Sequence, residues 1–170
     1  SARAMTIEIV PIQRRHIAGF HALLDAVARE RRYLAFLSAP PLAQARRFLL
    51  NNLRNGCAQF VALDGEQVVG WCDVVPKGQE TLRHSGTLGM GVAATHRGQG
   101  IGGRLMDATL DAARANGLSR IELVVRADNA PAIALYRGKG FILEGTLRRY
   151  LQVDGAWFDA FLMAKVGDTH

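Results

Sequence analysis

The sequence predicts a single α+β domain with a mostly antiparallel central sheet flanked by about four helices. Apolar residues recur at helical spacing in four stretches, separated by shorter runs with strand character. Two pairs of those runs face each other across Asp64-Gly65 and Asp154-Gly155, dipeptides that favour tight antiparallel hairpins. The 170 residues, 49% apolar and 21% charged, are enough to bury a core without help from disulfide or metal.

Residues 6–10 alternate like a half-buried strand that Pro11 ends. Residues 13–28 place Ile17, Phe20, Leu23, Leu24 and Val27 on one helical face. The segment Arg29-Glu30-Arg31-Arg32-Tyr33 breaks that pattern. Ser38-Ala39-Pro40-Pro41 then leads into a second helix over 42–54, closed by Asn55-Gly56. Residues 58–63 and 67–75 form the first hairpin, and residues 87–92 a strand unusually rich in glycine. A long amphipathic helix over 98–116 presents Ile101, Leu105, Ala108 and Ala112 on one face and stops at Asn116-Gly117. Residues 121–125 read as a buried strand and 131–137 as a short helix with proline in its first turn. Residues 141–152 and 156–165 complete the second hairpin. No repeat or linker divides the chain, so one domain is expected over 5–166, with Ser1 to Ala4 read as a cloning remnant before Met5.

Composition excludes some classes. No apolar run is long enough for a membrane-spanning helix, and the first residues lack the hydrophobic core of a signal peptide. Cys57 and Cys72 are too few for a disulfide framework and lack metal-ligand spacing, so a reduced, cytoplasmic, metal-free protein is expected. The net charge of +6 suits a polyanionic ligand. The basic residues are scattered and no aromatic stacking platform accompanies them, which argues against nucleic acid and membrane as partners. Glycine is in excess, 18 residues in all, many of them between Gly86 and Gly103.

The chemistry concentrates in Val92-Ala93-Ala94-Thr95-His96-Arg97-Gly98-Gln99-Gly100-Ile101-Gly102-Gly103. A strand feeds a glycine-rich turn that opens a helix, and the first helical turn carries N–H groups with no intrahelical partner. With side chains stripped from the turn, a phosphate reaches those donors at the positive end of the helix dipole. Arg97 adds a charge at the mouth. The spacing Gly98-x-Gly100-x-x-Gly103 also meets the dinucleotide fingerprint, but Ala93 to Arg97 intervene between strand and glycines. Glu122 starts its strand rather than ending it, and too little chain follows for a doubly wound sheet. A Walker loop fails because no Gly-Lys-Ser/Thr follows.

Arg97-Gly98-Gln99-Gly100-Ile101-Gly102 resembles the Arg/Gln-x-x-Gly-x-Gly/Ala motif of the GCN5-related N-acetyltransferases. Downstream, Asn129-Ala130-Pro131-Ala132-Ile133-Ala134-Leu135-Tyr136 and Gly140-Phe141 are similar to that family's second block. Glu144-Gly145-Thr146-Leu147-Arg148 with Asp154-Gly155 and Asp159 resembles a bacterial subgroup that includes phosphinothricin-type and L-amino-acid N-acetyltransferases. The resemblance covers residues 58–166 well and residues 6–57 only in the order of elements. It implies a GNAT-like sheet whose fourth and fifth strands (87–92 and 121–125) splay apart around acetyl-CoA.

By that resemblance, Met90 and Val92 would offer main-chain groups to the pantetheine arm, with a backbone N–H near the thioester oxygen. Gly89 and Gly91 would then fit a bulged strand. Arg97, Gly98, Gln99, Gly100, Ile101, Gly102 and Gly103 would hold the pyrophosphate. Asn129 and Ala132 would meet the cofactor, Asn129 having a helix cap as its other reading. Tyr136 would protonate the departing thiolate or, alternatively, anchor helix to sheet. Lys139 reads as a surface lysine and His96 as a residue that shapes the turn.

Relatives carry a glutamate base on the fourth strand, and Thr87-Leu88-Gly89-Met90-Gly91-Val92 has none. Asp73, Glu80 and His84 flank the region as possible proton relays or as structural residues. The acceptor pocket is expected from the first two helices, their connection and the last hairpin, where Arg31 and Tyr33 would meet a substrate carboxylate and side chain. An α-amino group, with a pKa of about 8, needs little help to lose its proton, so the missing base tilts the acceptor toward an amino acid or analogue. The expectation is therefore an acetyl-CoA-dependent N-acetyltransferase of small primary amines, working by direct attack and homodimeric as relatives suggest. A protein N-terminal or lysine acetyltransferase and a non-catalytic acyl-CoA sensor stand as alternatives.

Overall fold

The structure, a computed structural model, describes residues 6–167. The expectation for Ser1 to Ala4, and Met5 as the domain's first residue, lie outside them. Seven strands form one sheet: β1 (Ile7–Pro11), β2 (Ala58–Asp64), β3 (Gln67–Pro76), β4 (Ser85–Val92), β5 (Arg120–Arg126), β6 (Ile142–Val153) and β7 (Ala156–Val166). Their order is β1-β2-β3-β4-β5-β7-β6, and every neighbouring pair is antiparallel except β4 with β5. Four helices flank the sheet: α1 (Ile17–Arg29), α2 (Leu42–Arg54), α3 (Ile101–Ala115) and α4 (Ala130–Gly138). The α+β class and the mostly antiparallel sheet are as the sequence predicts.

The two faces are filled by different helices. Phe20, Leu24 and Val27 of α1 and Leu49 of α2 cover Val61, Leu63, Val68 and Trp71. Leu105, Met106 and Leu110 of α3 cover Ala62, Val69, Cys72 and Val74 on the other face. Val68 and Trp71 share a face although strand alternation would separate them, because the register slips between Ala62 and Leu63. Burying one such side chain contributes roughly 1.5–3 kcal/mol, so these two layers dominate the fold's stability.

Several boundaries differ from expectation. Pro11 lies inside β1, opposite Phe60, on an edge strand where its missing N–H costs no ladder bond. The first helix is preceded by a 3-10 turn at Arg14–His16. The first hairpin turns at Gly65-Glu66, one residue later than expected, whereas Asp154 and Gly155 (φ 52° and 79°) form the second as read. The buried stripe of α3 runs through Leu105, Met106, Thr109, Leu110 and Ala113, not Ala108 and Ala112. The bulky Met106 and Leu110 set its centre, and the alanines fall on its flank.

The seam between β4 and β5 positions the site. Pairing covers only Ser85↔Arg120, Gly86↔Ile121 and Thr87↔Glu122 and then stops, while β5 stays paired with β7 along its length. The closed end is tied by an ion pair of Lys77 with Glu122, and Arg120 bridges Glu122 and Glu144 at 3.0 and 2.6 Å. Lys77 and then Arg120 hold the Glu122 carboxyl below its usual pKa range. Glu122 is therefore committed to the seam. Beyond it the strands part, as the resemblance implies.

Candidate active site

The open end of the seam leaves main chain exposed. Lys77 N donates to Ser85 O and Ala93 N donates to Val69 O, which fixes the phase of β4 against β3. Residues 85, 87, 89 and 91 therefore bond toward β3, and Met90 and Val92 turn their main-chain groups toward β5. The β4–β5 pairing has ended by then, so both peptides face the gap. The expected bulge at Gly89 and Gly91 is absent, and the β3–β4 register is continuous. Gly91 is glycine for another reason: a Cβ there would lie 2.3 Å from the Trp71 ring.

The gap opens into a cleft of about 570 Å³. From β4 it is lined by Met90 and Val92, and from the turn by Arg97, Gly98, Gly100, Ile101, Gly102 and Gly103. Asn129, Ala132 and Tyr136 line its far side and Tyr33 its rim. Gly98 and Gly100 adopt φ 76° and 79°, a left-handed backbone that L-residues avoid, and a Cβ on either would meet only open space. Gly102 answers to packing instead, since a Cβ there would sit 3.2 Å from Leu135 and Met90. The first turn of α3 thus presents bare N–H groups to the cleft. Gln99 differs from the rest of the motif and is not among the residues lining the cleft.

Arg97 is engaged. Its two Nη atoms donate to the Glu30 carboxylate at 2.7 and 2.6 Å, and its Nε donates to Val92 O at 3.0 Å. The guanidinium lies 4.5 Å above the Tyr33 ring. Glu30 holds its pKa above the usual range. The charge expected at the mouth is therefore largely neutralised, and anion binding falls to the amides. His96 is buried, bonding Asp64 Oδ2 at 2.9 Å and Thr95 Oγ1 at 2.7 Å, which ties the glycine turn to the first hairpin.

Asn129 caps α4, its Oδ1 accepting from Ala132 N at 3.3 Å, which leaves its amide N–H groups for the cleft. Tyr136 packs against Phe141 with ring centroids 6.0 Å apart. Burial, and to a lesser degree the neighbouring Cys72, push its phenol pKa upward, so it stays protonated. Cys72 is fully buried and burial pushes its thiol pKa far up, which removes it as a nucleophile. Lys139 pairs with Asp107 at 2.8 Å and is not among the residues lining the cleft.

A second pocket, about 340 Å³, adjoins the first and shares Met90 with it. It is lined by α1, the connection to α2, α2 itself, β3 and β4, with no contribution from the last hairpin. Arg31 does not reach it. Its guanidinium grips Asp154 of that hairpin at 3.0 and 2.6 Å, so the expected role in meeting a substrate carboxylate is not what the structure displays. Of the three candidate relays, Glu80 and His84 are exposed and only Asp73 lines this pocket. Asp73 lies opposite Gly89, whose lack of a side chain leaves room for the carboxylate. The apolar surroundings push its pKa up to about 7. Sequence reasoning missed the aromatic lining of this pocket. Its one legible signal was an acid inside Val68-Val69-Gly70-Trp71-Cys72-Asp73-Val74-Val75, an otherwise apolar strand.

A sheet unzipped at one end, with bare helix-terminal amides at the opening, gives a cleft suited to a ligand that carries phosphate and amide groups. The chain belongs to the acetyltransferase (GNAT) family, whose profile matches residues 21–141. It is 35% identical over 115 residues to the Escherichia coli L-amino acid N-acetyltransferase, covering 66% of this chain and 70% of that protein. A crystal structure of the Brucella melitensis ribosomal-protein-alanine N-acetyltransferase superposes with a TM-score of 0.87 at 29% identity, covering 94% of this chain and 99% of that one. A Sinorhizobium meliloti phosphinothricin acetyltransferase, solved in complex with acetyl-CoA, shares the fold with a TM-score of 0.89 at 21% identity, covering 96% and 90%. The chain is an acetyltransferase by family and fold.

Proposed function

We propose that the chain transfers the acetyl group of acetyl-CoA to the primary amine of a small molecule, by direct attack within a ternary complex. The observation that carries this reading is the junction at Met90, where the cleft behind the glycine turn meets a separate pocket holding one carboxylate. Two substrates can thus be held on either side of one exposed peptide. The Sinorhizobium relative was solved with acetyl-CoA, and the Escherichia coli relative is named for L-amino acids. By that relative's name the acceptor class starts from amino acids and their analogues, and the lining of this chain's own pocket decides between the free acid and an analogue without its carboxylate.

In this reading the diphosphate rests on the amides of Gly98 to Gly103, and the pantetheine arm runs along Met90 and Val92 with Asn129 donating from the opposite wall. The main-chain N–H of Met90 donates to the thioester oxygen as it becomes an oxyanion. Such a donor contributes about 3–4 kcal/mol in related acyl transfers. Tyr136 donates its phenolic proton toward the departing sulfur. A thiol of pKa about 8.5 is a stronger acid than a phenol of about 10, so this transfer is uphill alone. It is completed by a proton that the attacking amine releases. No step uses an acyl-enzyme.

The test is release of free CoA thiol from acetyl-CoA across a panel of small amines. Thiol release that depends on the amine supports the reading. Acetyl-CoA binding without release for any amine would turn the chain into a sensor. Tyr136→Phe should lower kcat about 100-fold while the calorimetric Kd for acetyl-CoA changes less than about twofold. An unchanged kcat removes Tyr136 from the chemistry.

A further inference from the structure

The pocket beside the cleft has a composition that narrows the acceptor. Phe20 and Leu24 enter from α1, Leu34, Phe36 and Pro40 from the connection, and Ala45 and Phe48 from α2. Trp71 forms part of the wall, its ring set edge-on to Phe20 with centroids 5.7 Å apart. Phe36 and Phe48 stay 41% and 46% exposed, an amount of bare aromatic surface that folding alone does not favour. Among the lining residues, polar side-chain groups come from Gln44, Asp73 and the Trp71 indole N–H, and Asp73 alone carries charge. None of α1, the connection, α2, β3 or β4 supplies a cation to the lining. Asp73 acts on the Cys57 and Cys72 thiols, whose pKa values are raised first by burial and then by its charge.

Resting on the acetyl-transfer reading above, we propose that this pocket selects a primary amine borne on a bulky, aryl-sized apolar body with no free carboxylate beside the amine. Asp73 receives the ammonium and acts as its base. The aromatic walls take the body of the molecule, and the carboxylate of Asp73 takes its only charge. A free α-carboxylate would be carried on the carbon next to that ammonium, within a few ångströms of Asp73, where like charges repel and no arginine compensates. Of the two cations in the connection, Arg31 is held by Asp154 and Arg32 acts on Asp128, and neither lines the pocket. An arylalkylamine or the amide of an aromatic amino acid meets all of these conditions, and the free amino acid does not.

The proton and electron balance closes. Asp73 takes one proton from the ammonium, and the freed nitrogen lone pair attacks the thioester carbon. The C–S bond breaks with its electron pair on sulfur. Sulfur gains a proton from Tyr136, which is refilled by a second proton from the nitrogen. The third proton remains on the amide, and Asp73 returns its own to water. A base poised at about 7 is half-ionised at neutral pH, where such a group works best.

The experiment measures kcat/KM by CoA thiol release for phenethylamine, L-phenylalanine amide, L-phenylalanine and ethylamine, with the full chain and its Asp73→Asn variant. Phenethylamine and the amide should exceed L-phenylalanine and ethylamine by at least about 30-fold. Asp73→Asn should lower kcat/KM for phenethylamine about 100-fold at pH 7. It should also erase the rise of rate through pH 7, while the heat of acetyl-CoA binding stays as in the parent and certifies the fold. L-Phenylalanine equal to or better than its amide, ethylamine equal to phenethylamine, or a pH profile unchanged in Asp73→Asn would each overturn the proposal. Should amines of another kind be acetylated instead, acetyl transfer stands and this acceptor class falls. No thiol release with any amine ends both.

Discussion

The larger cleft offers a ligand mostly main chain, while the smaller pocket beside it offers mostly side chains. On one side stand the amides of the glycine turn and the peptides of Met90 and Val92, supported by a guanidinium whose charge Glu30 already pairs. On the other stand aromatic rings from α1, α2, their connection and β3, around a single carboxylate. A main-chain surface reads whatever carries phosphate and amide groups and is indifferent to most side-chain changes, which suits an invariant donor. A side-chain surface can be altered residue by residue, which suits an acceptor that differs among relatives. The two meet at Met90 because the β4–β5 ladder stops at Thr87 and Glu122.

The contrast can be broken most sharply at Gly100. Valine there would have to adopt φ near 79° and would project its branches into the cleft. Gly100→Val should weaken acetyl-CoA binding about 100-fold by calorimetry, a loss of about 2.7 kcal/mol. Parental affinity in this variant would mean that the turn amides are not what holds the donor.

Asp73 sharpens the other side through stability. Its folded pKa of about 7 lies above the unfolded carboxyl value of 3.8. Between about pH 4 and pH 7 the native chain holds a proton that the unfolded chain has lost, so stability falls as pH rises through that window and levels off above it. Asp73→Asn removes this slope. In urea denaturation the variant should be more stable than the parent by about 1–2 kcal/mol at pH 8 and equal to it near pH 4, a half-buried carboxyl giving less than its full shift. A variant less stable at both pH values would mean that the carboxylate is structural.

The smallest effect belongs to Arg31, which sequence reasoning had placed at the substrate. Its pair with Asp154 is well exposed on both sides. Arg31→Ala should leave the urea midpoint nearly unchanged and KM for the amine within about twofold, because solvent screens an exposed pair. A tenfold rise in KM would return the residue to the acceptor pocket and count against an acceptor without a carboxylate.

The donor cleft was legible because its parts are local. Gly98, Gly100 and Gly102 stand together where α3 begins, so their spacing exposes them, while Asn129 and Tyr136, at the cap and in the body of one short helix, were singled out by the family resemblance. The second pocket was legible only by its elements, the first two helices and their connection; its lining was not, since Phe20, Phe36, Phe48, Trp71 and Asp73 come from four separate segments and each resembles an ordinary core or surface residue in sequence. Arg31 was misread for the same reason: its partner is Asp154, far along the chain.

By itself the sequence determined the elements, the second hairpin turn and the glycine turn that opens α3, because hydrophobic period, turn chemistry and the positive φ of glycine act within a few residues. Only the tertiary structure decided that Glu30 neutralises Arg97, that Glu122 closes the seam, and that Asp73 is the acid left facing a pocket. Those outcomes depend on which strands stay paired and which part, and desolvation and charge pairing have no counterpart in a linear string.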